Sequence, residues 1–129
     1  MNNRYFIRAE DVTAYNPSNH SGTSNRRLIG PDTVGSTQLE VVLGIIDKNH
    51  GAPEHSHPNL EQVCYMLEGE AIAQVDGQTK RLKPGDCCFF PANAPHVFTA
   101  ISDIPVKVLV IYAPPYGEDP AKVIRVKST

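Results

Sequence analysis

The chain has 129 residues, a net charge of -2 and a pI near 6.2, with 40% hydrophobic and 20% charged residues. That is room for one domain with a hydrophobic core and too little for two of ordinary size, and the near-neutral charge offers no electrostatic attraction for nucleic acid or an anionic membrane surface. The longest apolar runs, VVLGII and VKVLVIYA, fall far short of the roughly 20 residues that span a bilayer, and three cysteines, two of them adjacent at Cys87 and Cys88, suit a reducing compartment better than a disulfide framework.

The opening MNNRYFIRAEDV lacks the basic segment, apolar core and small-residue cleavage site of a secretory signal, so the cytoplasm is the expected location. Asn16 to Ser36 is polar, rich in turn formers and without periodicity. It predicts an extended arm or long loop, within an N-terminal region 1–38 that also holds a strand, lying in solvent, covering a site or contacting a neighbour. His20 falls in this arm and His50 in a second turn-rich segment, and both are expected to face solvent. Arg26 and Arg27 would attract an anion if the arm folded over a site, and otherwise face water.

From Leu39 onward the chain is cut by glycine and proline at Gly51, Pro53, Pro58, Gly69, Gly77, Pro84, Gly85, Pro91 and Pro95, which leaves segments too short for ordinary helices. Strands are predicted at Leu39 to Asp47, Gln62 to Leu67, Ala71 to Val75, Gln78 to Leu82, Cys87 to Phe90, His96 to Ile101 and Val106 to Tyr112, where β-branched and aromatic residues are common. Asp76-Gly77 reads as a two-residue hairpin turn, whose central positions both need positive φ. LKPGD reads as another tight turn, with Pro84 pre-setting φ and Gly85 free to turn left-handed. Regular strands with turns between them predict an all-β sandwich or barrel over 39–115, and 116–129 is left as an extension packing on the barrel or on a partner subunit.

Side chains alternate faces along a strand, so His55 and His57 project to one side and can act as neighbouring ligands of one ion. On the next strand Gln62 shares a face with Cys64 and Met66, while Glu61 shares the other with Val63, Tyr65 and Leu67. Only one of the Glu61-Gln62 pair can therefore face the histidines. His96 follows the turn PANAP and opens a strand on which Phe98 and Ala100 point the same way.

Taken together, HSHPNLEQVCYMLEG and GDCCFFPANAPHVFTA resemble the two sequence motifs of the cupins. The first supplies a His-x-His pair and a closing glycine, Gly69, with Gln62 where the family carries glutamate. The second matches at Gly85, Pro91 and His96, with Asn93 and Ala100 in place of a glycine and an asparagine. The resemblance implies a double-stranded β-helix, or jelly-roll barrel, with His55, His57 and His96 as metal ligands and Gln62 in the position of the fourth. A strand bulge that flips the register would put Glu61 there instead.

A neutral amide leaves the charge of a divalent ion uncompensated, which favours a chelating anion as substrate. Imidazole ligands do not choose among the transition ions, and the dioxygenase reading puts iron first, with zinc, nickel, manganese, cobalt or copper as alternatives. The function expected is an Fe(II)-dependent dioxygenase acting on an enol, diketone, phenol or carboxylic acid. A metal-dependent isomerase or lyase, or a non-catalytic binding module, are the alternatives. By alternation Cys64, Met66 and Phe98 wall the substrate pocket, with no general base among them and no catalytic residue assigned. Cys87 and Cys88 point to opposite faces and cannot share an ion. Tyr65, Leu67 and the outer face of VKVLVIY have no helix to cover them, so a homodimer is expected.

Overall fold

The computed structural model describes residues 5–125. Its strands are β1 (Thr23–Ile29), β2 (Glu40–Ile46), β3 (Gly51–Ser56), β4 (Glu61–Glu68), β5 (Ala71–Val75), β6 (Gln78–Leu82), β7 (Cys87–Phe90), β8 (His96–Ala100), β9 (Val106–Ala113) and β10 (Ile124–Arg125). They form two five-stranded sheets, β1-β2-β9-β4-β7 and β10-β3-β8-β5-β6. Every pairing is antiparallel. Among the described residues no helix is long and apolar enough to cross a membrane.

Alternation sets the core. On β2 and β9 every second residue is buried, so Val42, Ile46, Val106, Val108 and Val110 point inward while Val41, Leu43, Leu109 and Ile111 point outward. The facing sheet contributes the small residues Ala71, Ala73 and Ala100, which leave room for Met66, Leu82 and Phe90 in the same core. Asp76 and Gly77 have φ of 48° and 81°, as a type I′ hairpin requires, and Val75 opposes Gln78 across the turn.

Gly51 shows why the two site-bearing strands can approach. Its φ is 149°, and a Cβ there would lie 2.1 Å from the carbonyl oxygen of Phe98. Beyond it the β3–β8 register shifts between Ala52 and His55, and the shift brings His55 directly opposite His96.

Two features differ from the sequence reading. The stretch expected to be an arm contains β1, paired along nearly its whole length with β2. Its residues are polar because it is an edge strand, with Thr23 and Asn25 turned toward a cavity between the sheets, so no hydrophobic alternation marks it. At the other end β10 pairs with β3, carrying the sheets past the expected 39–115 barrel on both sides.

These two additions are tied together by a buried carboxylate. Glu40, 1% exposed, accepts hydrogen bonds from Arg27 Nε and from the backbone N–H groups of Tyr116 and Gly117, the latter two at 2.9 Å. Arg27 therefore spends its charge inside the fold, and Arg26 donates to the Val12 carbonyl. Neither arginine is placed as a lid.

The outer face of the β1-β2-β9-β4-β7 sheet is apolar in registered rows. Leu43, Leu109 and Tyr65 form one row, and Val41, Ile111, Val63 and Phe89 the next. Tyr65 is 40% and Phe89 49% exposed.

Candidate metal centre

His55 is the penultimate residue of β3, His57 follows directly after its end, and His96 opens β8. All three are buried. Ring centroids are 4.4 Å apart for His55 and His96, 4.9 Å for His55 and His57, and 5.4 Å for His57 and His96. One ring nitrogen from each lies within 4.8 Å of the others, so the three histidines could hold a metal ion.

The backbone selects which nitrogen is free. Nδ1 of His55 lies 2.9 Å from the Pro53 carbonyl, Nδ1 of His57 2.8 Å from that of Lys122, and Nδ1 of His96 3.2 Å from that of Ala94. A carbonyl can only accept, so each Nδ1 carries the proton and donates it, leaving Nε2 with its lone pair. Packing then fixes the ring planes. His96 stacks on Phe90 at 4.2 Å and 7°, and His57 lies against Tyr112 and Tyr116.

Burial keeps these rings neutral. It pushes His57 down to about 4 and His96 to about 3 and lowers His55 as well, with the carbonyl hydrogen bonds working the other way. The unfolded chain takes up protons below about pH 6.5, while the folded site does not until the pH reaches those lower values. The unfolded state therefore binds more protons in between, and stability must fall as pH drops from about 6.5 toward 4, by at most about 1.4 kcal/mol per pH unit for each histidine. Urea midpoints of the metal-free protein should show this decline, and His96→Phe should make it shallower.

The donor set fits a divalent transition ion on an observation independent of spacing. His20 Nδ1, Gln62 Oε1 and His96 Nε2 are sealed from solvent without a hydrogen-bond partner, and all three residues line one cavity between the sheets. Each such orphan destabilises a fold by roughly 1–3 kcal/mol. Of these, Gln62 Oε1 and His96 Nε2 are an unpaired oxygen and nitrogen of the kind that a cation with borderline-soft character satisfies.

Gln62 faces this cavity and donates through Nε2 to Cys64 Sγ at 3.6 Å, which leaves Oε1 as the free atom. Glu61 lies exposed on the opposite face. The β4–β9 register is continuous from Glu61 to Met66, so no bulge exchanges the pair. Cys64 and Phe98 line the cavity. Burial raises the Cys64 thiol far above its ordinary range, so it stays protonated and inert. Met66, 1% exposed, packs in the core and does not line the cavity.

The residue missed by sequence reasoning is His20, expected in solvent and found lining the same cavity, with its ring 6.2 Å from that of His55. Burial, then the neighbouring imidazoles, hold it down at about 4. Its position follows from the turn after it. Gly22, at φ 50°, packs against His50, where a Cβ would meet the ring at 2.3 Å. Ser21 hydrogen-bonds His50 Nδ1 through its hydroxyl and the Gly51 carbonyl through its N–H. His50, itself exposed, is a buttress.

Comparison with known proteins agrees with this architecture. The chain is 29% identical over 107 residues to polyketide synthase CurC of Streptomyces cyaneus, covering 83% of this chain and 70% of that one. It is 30% identical over 100 residues to the tetracenomycin polyketide synthase protein TcmJ of Streptomyces glaucescens, covering 76% and 66%. The polyketide cyclase RemF of Streptomyces resistomycificus superposes with a TM-score of 0.79 at 24% identity, covering 96% of this chain and 86% of that one. The cupin domain model matches residues 42–112. That match runs through more than half the chain and includes the strands that bring His55, His57 and His96 together, and the protein accordingly belongs to the cupins.

Proposed function

We propose that this protein is a metal-dependent cupin enzyme acting on an enolisable small molecule, a β-dicarbonyl or phenolic compound, with His55, His57 and His96 as ligands and Gln62 Oε1 as a neutral fourth. The observation that carries this reading is the gathering of one nitrogen each from His55, His57 and His96 within 4.8 Å, every Nδ1 held by a backbone carbonyl, beside a largely apolar cavity lined by His55, His96 and Gln62. A divalent ion bound there supplies Lewis acidity toward a chelating pair of oxygens, and iron would add the capacity to use O2.

The chain's own contribution is to bind and shelter. Phe90, Phe98 and Val108 exclude water from the cavity, and the neutral ligands leave the ion's charge for the substrate's oxygens. The names of CurC and TcmJ place those relatives with polyketide synthases, whose poly-β-carbonyl chains have this chelating character. His20 gives the cavity a neutral hydrogen-bonding group, which the sequence reading lacked, and Lewis-acid chemistry without O2 is taken as the leading reading over the dioxygenase.

The test is anaerobic turnover of β-diketone and polyphenol probes by zinc-loaded and by iron-loaded protein. Conversion by the zinc form under argon is expected. Conversion only with iron and O2 would return the oxygenase, and no conversion by either form would remove the enzyme reading. We further propose a homodimer across the registered apolar rows, and the same preparation should show twice the 14.1 kDa chain mass in solution.

A further inference from the structure

We propose that His20 is a positioning residue of this site, whose Nδ1 forms the hydrogen bond that orients an oxygen-bearing small molecule entering the cavity. The inference rests on the metal-site reading above and adds a residue that the cupin motifs do not contain.

Four observations carry it. His20 Nδ1 is sealed from solvent and unpartnered, and His20 lines the same cavity as Gln62 and His96, whose Oε1 and Nε2 are likewise unpartnered. A buried imidazole nitrogen with no partner is unfavourable unless something else supplies the bond. The placement is built rather than incidental, because the glycine at 22, the Ser21 hydroxyl and the His50 ring together hold the turn.

His20 also lies outside the ion-holding group. The nitrogens of His55, His57 and His96 gather within 4.8 Å, and among the described residues that cluster does not include His20. Its partner is therefore something larger than the ion. Finally, His20 and Thr23 line both the inner cavity and an outer groove that also includes Asn16, Ser24 and Asp47. His20 thus sits where the cavity meets the surface, on the path an entering molecule takes. The groove has no lysine or arginine, so what it admits is neutral and hydrogen-bonding rather than anionic.

The experiment uses Co(II) and acetylacetone as probes. Cobalt affinity is measured by competition with a chromogenic chelator, and acetylacetone binding to the cobalt-loaded protein by the visible cobalt spectrum. His20→Ala should keep cobalt affinity within about twofold of wild type, well short of the 10–100-fold that loss of a ligand's support brings. It should bind acetylacetone about tenfold more weakly, the scale of one hydrogen bond. His20→Asn, which keeps a hydrogen-bonding group, should recover part of that loss. Gly22→Ala, which leaves the imidazole in place but pushes the turn off His50, should reproduce it.

Unchanged acetylacetone affinity in His20→Ala would overturn the assignment. So would a parallel loss of cobalt, which would make His20 a ligand. A wild-type protein that takes up no cobalt would instead overturn the metal reading beneath it, and this inference with it.

Discussion

Replacing His96 by phenylalanine should abolish ion binding and, at the same time, stabilise the metal-free protein. His96 is 2% exposed, stacks flat on Phe90, and carries an Nε2 with no partner. Phenylalanine keeps the stack and removes the orphan, relieving a desolvation penalty of roughly 1–3 kcal/mol. The Ala94 carbonyl loses its donor in exchange, so the net gain should be about 1 kcal/mol. Affinity for Co(II) or Zn(II) should fall by more than the 10–100-fold seen when only a supporting contact is lost. Chelator competition and urea unfolding in EDTA measure the two effects, and a variant that binds as tightly as wild type would remove His96 from the ligand set. Opposite signs in binding and stability are what a functional site on a stable scaffold produces.

The largest loss of stability should come far from the metal centre, at Glu40. Its carboxylate is 1% exposed and serves Arg27 and two backbone N–H groups at once. Glu40→Ala strands the two N–H groups and takes the buried partner from a guanidinium whose side chain is only 18% exposed, leaving it Asp32 and the Tyr15 hydroxyl. Breaking one side of a buried pair in this way destabilises by about 3–5 kcal/mol, a large part of the 5–15 kcal/mol typical of a domain. The double variant Glu40→Met with Arg27→Met should recover much of that loss, since an apolar pair leaves no charge behind. Chemical denaturation of the single and double variants closes the cycle. A double variant no more stable than Glu40→Ala would show that the backbone bonds to Tyr116 and Gly117 dominate.

Much of this architecture is legible in the residues because turn chemistry is local. Asp76-Gly77 marks its hairpin unaided, and β-branched alternation marks β2 and β9. The three clustered histidines are legible through the resemblance of their two motifs to those of the cupins, since the spacing of His55 and His57 says nothing by itself about His96. His20 is not, because its burial depends on a glycine packing against a histidine 28 residues later in the chain (50 − 22 = 28). Nothing in a polar, aperiodic stretch announces such a contact. β1 stays hidden because it is an edge strand that turns Thr23 and Asn25 toward the cavity, so no hydrophobic period marks it. Met66 shows the limit of alternation, which assigns a residue to a face and not to a depth along it. Gln62, Cys64 and Met66 share a side of β4, yet only the first two reach the cavity.

The carbonyl of Lys122 sets the tautomer of His57 across 65 residues of sequence. The stretch holding it is short: an Asp119-capped turn, a lysine ammonium donated to the Pro115 carbonyl, and a two-residue pairing with β3. Cutting the chain back to Pro115 would remove β10 and two of the donors that Glu40 accepts from, and would free one imidazole to rotate and to exchange its proton between nitrogens. A rigid fusion grafted at residue 123 would free that imidazole too. Anyone shortening or tagging this protein at that end is altering the orientation of one of the three clustered histidines.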